Sequence, residues 1–246
     1  MTSKEAARQR WKELKDKPLK QKLEHIITYY WFPIVAVLGI AIFAVSYIVH
    51  IATLKDVALN VTCINATAEE SCVEDFTLKF AQSAGVDLKQ YEVELSTDMM
   101  LLDEGMMSSY DSAEVLITLI AARSIDVLVS DQASMLQRFY QDVLADLSQM
   151  LTDEQLQAYQ DSFLYLDKKV LEEVKNITNM ENLPKFPDPT KPEEMETPVP
   201  VAIRIPADTE FAKSFFPDCK DDVVIGLVIN AKNITHALAF LDFVME

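Results

Sequence analysis

The sequence predicts an α/β protein in which a single N-terminal transmembrane helix precedes a mostly parallel sheet with flanking helices. Three observations predict it. Trp31 to Val49 carries no charge and one strongly polar side chain, Ser46. No formally charged residue falls between Glu24 and Lys55. Beyond residue 55, strand-like and helix-like patterns alternate with short connections. At ~1.5 Å per residue the uncharged run reaches roughly 28 Å, close to the ~30 Å hydrocarbon core of a bilayer. The chain therefore divides into a basic arm over 1–30, a membrane helix over 31–53 and an outer α/β domain over 54–246.

In the arm, Trp11 and Leu14 suit a short helix, Lys17-Pro18 breaks it, and a second helix runs on into the span. Tyr29, Tyr30 and Trp31 form an aromatic belt at one membrane interface, and Tyr47 approaches the other. Pro33 is expected in the first turn of the spanning helix, where a missing N–H costs little. Residues 1–30 hold eight Lys or Arg, against Lys55 alone in the fifteen residues after the span. The positive-inside rule then puts the N-terminus in the cytoplasm and the large domain outside the cell membrane, as a single-pass protein. The basic region and apolar core are too long for a cleaved signal peptide, and no small-x-small site follows them.

The net charge of −17 is split, with +4 in residues 1–30 and −21 in the remainder. The arm suits anionic lipid of the bilayer, at about 1 kcal/mol per well-placed Lys or Arg. The acidic remainder repels nucleic acid, which is excluded as a partner. Cys63 closes a strand and Cys72 opens a helix, so a local disulfide is a candidate pairing, with Cys219 left over. Four N-x-[ST] sequons stand at Asn60, Asn65, Asn176 and Asn233, but Asn60 lies inside a predicted strand.

The outer elements follow in order. Asp56–Asn65 reads as a strand with Val57, Leu59, Val61 and Cys63 on one face. Thr67 and Glu70 form a capping box for a helix carrying Val73, Phe76, Phe80 and Ala84, which Gly85 ends. Tyr91, Val93 and Leu95 alternate as a second strand. A helix starts near Asp111 and Glu114 and runs through Leu116, Leu119 and Ile120. Ile125–Val129 is a short apolar strand of the kind buried in a parallel sheet. Met135, Phe139 and Val143 suit a helix, as does Thr152–Ser162. Residues 184–200, with six prolines, are a linker or a surface excursion. Val199–Ile205 and Val223–Ile229 read as strands, and Asn233 caps a last helix with Ala237, Leu238, Leu241 and Val244 inward.

Catalytic chemistry finds little purchase. His25 and His50 flank the span and His236 is read as a solvated residue of the last helix, so no two histidines share a metal. No CxxC, HExxH, GxSxG or Walker pattern occurs, and no metal, cofactor or enzymatic activity is expected. In open α/β sheets ligands lie beyond the carboxyl ends of the strands. Those ends supply Asn65 and Thr67, Ser96 and Thr97, Ser130 and Asp131, and Asn230. Asn65, Thr67, Ser130 and Asp131 are the candidate contacts for a small polar solute or peptide. Capping of helices by Thr67 and Asp131 is the competing explanation.

The arm and span (KQKLEHIITYYWFPIV) resemble single-pass membrane proteins of clostridia-like, Gram-positive Firmicutes, whose anchor precedes an extracytoplasmic domain similar to periplasmic solute-binding proteins. ARSIDVLVSDQASMLQRFYQDVLADLSQML and the tail DDVVIGLVINAKNITHALAFLDFVM resemble patterns of that superfamily. The resemblance implies a reduced periplasmic-binding-protein-like fold and a binding module serving a transporter or sensor. The departures are small size, only three glycines in the outer domain, and tryptophans confined to positions 11 and 31, which leaves none to stack on a sugar. They favour the alternative, a non-catalytic assembly subunit that docks a membrane-protein partner.

Overall fold

A computed structural model describes residues 18–101, 107–177, 184–219 and 222–245, the side chains of 19–30, 52 and 107–112 excepted. The chain divides into two compact units, Met1–Leu54 and Lys55–Glu246. The first holds helix α1, Leu19–Thr53, which starts directly after the extended Pro18. Its segment Trp31–Ile51 has a mean hydropathy of 2.5 and no buried residue, so the helix is long and apolar enough to cross a bilayer. Trp31 is 57% exposed and Phe43 73%, apolar surface that water would penalise. The side chains of Tyr29 and Tyr30, like the arm with Trp11 and Leu14, lie outside the described residues. Pro33 corrects an expectation: because α1 begins at Leu19, the proline lies in the helix interior, where it removes one i→i−4 hydrogen bond. Membrane helices tolerate this more readily than soluble ones.

The second unit is built on six strands among the described residues. These are β1 (Asp56–Ile64), β2 (Tyr91–Met99), β3 (Val127–Asp131), β4 (Phe163–Asp167), β5 (Pro198–Ile205) and β6 (Val223–Leu227). They form one sheet in the order β2-β1-β3-β6-β5-β4. β1 is parallel to β2 and β3, whereas β3–β6, β6–β5 and β5–β4 are antiparallel. The sheet is therefore mixed rather than mostly parallel. An apolar run such as Val223–Leu227 is buried on both faces in either direction, so its composition carries no sign of which way it runs.

Helices cover both faces. On one face α2 (Glu70–Ser83), α7 (Glu210–Phe215) and α8 (Ile234–Met245) cover Leu59, Val61, Cys63, Val127, Val129 and Ile225. Their phenylalanines interlock, with Phe76–Phe215 centroids 5.2 Å apart, Phe80–Phe240 5.3 Å and Phe211–Phe215 stacked at 4.5 Å. On the other face α3 (Met107–Ala121), α4 (Gln132–Phe139) and α6 (Lys168–Lys175) set Leu116, Ile120, Met135, Phe139 and Leu171 against Leu128, Leu164 and Val224. A short helix, α5 (Asp153–Ala158), carries the reciprocal Thr152–Gln155 capping box.

Several local expectations hold. Gly85, at φ +68°, follows α2, and Val86 N–H donates to Ala81 O at 2.8 Å, the left-handed helix stop that favours glycine. In α8, Ala237, Leu241 and Val244 are buried. Other expectations are corrected. α2 starts at Glu70 with no side-chain cap, so Thr67 and Glu70 form no capping box. α3 begins at Met107, ahead of Asp111. Val143 lies beyond α4, and the region read as one helix to Ser162 stops at Ala158 before a 3-10 turn. β4, α6 and α7 were not legible as separate elements, being only five to eight residues long.

The proline-rich stretch is a surface excursion held at both ends. Tyr165 N–H on edge strand β4 donates to Pro189 O at 2.8 Å, and Phe186 stacks on Tyr140 at 4.1 Å. Pro198 and Pro200 lie in the half of β5 that reaches past β6, where a missing N–H breaks no bond to that neighbour. Gly226 has a packing reason: a Cβ there would come within 2.9 Å of Leu144 Cδ2 and 3.3 Å of Val201 O.

Candidate functional site

At the carboxyl ends of β1 and β3 the structure brings three of the four predicted contacts together. Asn65 follows β1 at φ +60°, a conformation asparagine tolerates. Its amide nitrogen donates to Asp131 Oδ2 at 2.8 Å and Ser134 Oγ at 2.9 Å, and its Oδ1 accepts from Leu101 N–H at 2.7 Å. Asp131 Oδ1 accepts from Ser134 N–H at 2.9 Å, capping α4. Ser130 is fully buried and donates to Asp131 O at 2.9 Å. These side chains satisfy one another. The cluster ties the β1 exit, the start of α4 and residue 101 into one knot.

The fourth contact stands apart. Thr67 has an exposed side chain, and its N–H donates to Phe215 O at 2.9 Å. Asn230 is carried to the opposite end of the sheet because β6 runs against β3. There its amide donates to Ile120 O at 2.8 Å. Ser96 and Thr97 line a separate cavity of about 560 Å³ with Glu70, Glu74 and Asp98. The antiparallel β6 thus removes Asn230 from a strand-end set that an all-parallel sheet would have kept at one end.

Asn65→Ala is expected to destabilise the chain by about 2–3 kcal/mol, from the unpaired Leu101 N–H and the loss of asparagine's tolerance of the left-handed region. Asn65→Gly, which suits that backbone, should lose less. Urea unfolding of the full chain in detergent measures both.

Cys63 and Cys72 are not bridged. Strand alternation puts Cys63 in the core beside Leu59 and Val61, whereas Cys72 is half-buried near the start of α2. Burial pushes the Cys63 thiol well above its ordinary range and keeps it protonated and unreactive. His236 is half-buried rather than solvated, its Nδ1 donating to Ala58 O at 3.0 Å. Among the described residues no group of three or more His, Cys, Asp or Glu is placed to hold a metal ion.

Two buried carboxylates escaped the sequence reading. Asp126, 2% exposed, accepts from Lys232 N–H at 2.8 Å and Asn233 N–H at 3.0 Å on Oδ1, and from Asn60 N–H and Asn233 Nδ2 at 3.0 Å on Oδ2. It fastens β1 and the loop into α8 to the start of β3. Asn233 donates its amide to Asp126 and Val57 O, while its backbone carbonyl accepts from Ala237 N–H at 2.9 Å at the start of α8. Asp167, 4% exposed, accepts from Lys169, Glu196 and Thr197 N–H and so pins the end of the proline-rich excursion. The available signal was position: each is an acid at a strand boundary, and its donors include loop residues distant in the chain, Lys232 and Asn233 for Asp126 and Glu196 and Thr197 for Asp167.

A further cavity of about 500 Å³ lies at the other end of the sheet, lined among others by Lys55, Asn60, Glu94, Arg123, Asp126 and Lys232. A third, of about 450 Å³, has an apolar floor from Leu144, Leu166, Val199 and Val201 and a rim that includes Lys175. Lys175 is engaged by Asp142 at 2.8 Å and Glu172 at 3.1 Å.

No family model matches this chain, and neither a curated protein nor a solved structure matches it. The likeness to solute-binding proteins and to Firmicutes membrane proteins thus has no relative to support it.

Proposed function

We propose that the chain is a single-pass, membrane-anchored docking subunit whose outer domain receives an extended basic segment of a partner protein along the edge of β2. Helix α1 supplies the anchor, and the basic arm before it sets the N-terminus on the cytoplasmic side. The observation that carries the docking reading is the contrast between the two sheet edges. Edge strand β4 is covered through the Tyr165–Pro189 hydrogen bond. Edge strand β2 spans nine residues and pairs with β1 alone among the described strands. An uncovered edge of that length is a template for strand addition.

Charge selects the occupant. Glu92 and Asp98 are exposed on β2, and Glu70, Glu74 and Asp98 share the adjoining cavity. Two copies pairing through this edge would set like charges against each other, whereas a Lys- or Arg-bearing strand complements them. A solute-binding module serving a transporter or sensor fits less well, because Asn65 and Asp131 bond each other, Ser134 bonds both, and Ser130 bonds a main-chain carbonyl.

Amide hydrogen exchange of the full chain in detergent tests the docking reading with two synthetic nine-residue peptides, alternating Val–Lys and Val–Glu. The Val–Lys peptide is expected to slow exchange across residues 91–99, and the Val–Glu peptide to leave it unchanged. The Glu92→Lys, Asp98→Lys double variant should reverse that preference. Equal response to both peptides, or none, would sink the proposal.

A further inference from the structure

We propose that the cavity at the amino-terminal ends of β1 and β3 is a binding site for a phosphate-class anion, formed by Lys55, Arg123 and Lys232. All three line one space of about 500 Å³. None of them has a carboxylate within ion-pair distance among the described residues. Lys79, Lys169, Lys175, Lys191 and Arg204 all do. Lys89, Arg138, Lys168, Lys185 and Lys213 also lack an ion pair among the described residues, but none of these lines this cavity, where three such cations meet.

The carboxylates lining the same space are largely spoken for. Asp126 accepts four hydrogen bonds, and Glu94 accepts the side-chain amide of Asn60. With Asp56 they make three carboxylates beside the three cations. Lys55 donates to Leu88 O at 2.6 Å, which uses one of its three N–H groups and holds the ammonium in place.

Arg123 supplies the second, independent observation. It sits at φ +56°, where α3 ends in a left-handed stop. Arg123 N–H donates to Ile120 O and Ser124 N–H to Leu119 O, both at 2.9 Å. That pattern favours glycine at the position Arg123 occupies. An arginine there strains the backbone and in exchange puts a guanidinium at the cavity, a planar fork matched to phosphate oxygens.

Lys55 follows Thr53, the last residue of α1, by two positions, so a phospholipid headgroup and a free phosphate share the required chemistry. The proposal is independent of the strand-edge reading and is tested without peptides. Calorimetric titration of the full chain in non-ionic detergent would use inorganic phosphate in one arm and monomeric dihexanoyl phosphatidylglycerol in the other. Neutral dihexanoylglycerol serves as the control for chain contacts. Arg123→Gly and Lys232→Gln are each expected to weaken binding about tenfold or more, the scale of a lost charge-assisted hydrogen bond. Lys191→Gln, on the proline-rich excursion, should leave it unchanged. Arg123→Gly should melt no lower than the parent, because glycine suits the left-handed position, and this separates lost binding from lost folding. Binding of phosphatidylglycerol alone, or more tightly than phosphate, identifies the headgroup as the source. Binding of phosphate alone identifies the free anion. Saturation by neither probe, or affinity unchanged in either variant, overturns the site.

Discussion

Val127→Asp is expected to leave the full chain without a cooperative thermal transition. Val127 is fully buried in central strand β3, between parallel β1 and antiparallel β6, and packs on the face covered by α2, α7 and α8. Its neighbour Leu128, also fully buried, points to the opposite face, so the strand has no wet side to which a carboxylate could turn. The new group would carry an uncompensated charge into the core or hold its proton there without a partner. Either costs several kcal/mol against a total stability of about 5–15 kcal/mol. Circular dichroism against temperature in detergent checks this, followed through the sheet signal, to which α1 does not contribute. A cooperative transition near that of the parent would show that the segment is not core.

Asp126→Ala is expected to cost about 3–5 kcal/mol, because four donors lose one acceptor residue and three of them are backbone N–H groups with little freedom to turn elsewhere. The damage should be local before it is global. Amide exchange at Lys232 and Asn233 should speed up at denaturant concentrations where the sheet amides remain protected. Asp126→Asn keeps the shape but offers one oxygen in place of two, so its loss should fall between those of the alanine variant and the parent. A loss below about 1 kcal/mol for Asp126→Ala would mean that water replaces the carboxylate.

Much of the architecture was legible because it rests on local signals. The uncharged run around Trp31–Val49 is a matter of length and composition, and the helix over it follows. The 3.6-residue spacing of Phe76 and Phe80, the stop at Gly85 and the alternation of Leu59, Val61 and Cys63 on one face of β1 are each set within one turn or one strand, although Val57, expected on the same face, is exposed. The expectation that Asp131 caps a helix was equally local, and it holds.

What only the tertiary structure decided is everything that depends on strand direction and on partners distant in sequence. An apolar strand such as Val223–Leu227 is identical in composition whether it runs with β3 or against it, yet that choice carries Asn230 to the far end of the sheet and divides the predicted binding set. Nor could the sequence show that Asn65, Asp131 and Ser134 satisfy one another, since 66 and 69 residues of chain separate the asparagine from its partners. The donors of Asp126 stand 66 and more than 100 residues away, and Lys55, Arg123 and Lys232 share a cavity only because the sheet order brings their loops together. Periodicity reports which side of an element faces the core. Hydrogen-bond partnership and cavity lining belong to pairs of elements, and the sheet's topology alone determines which pairs meet.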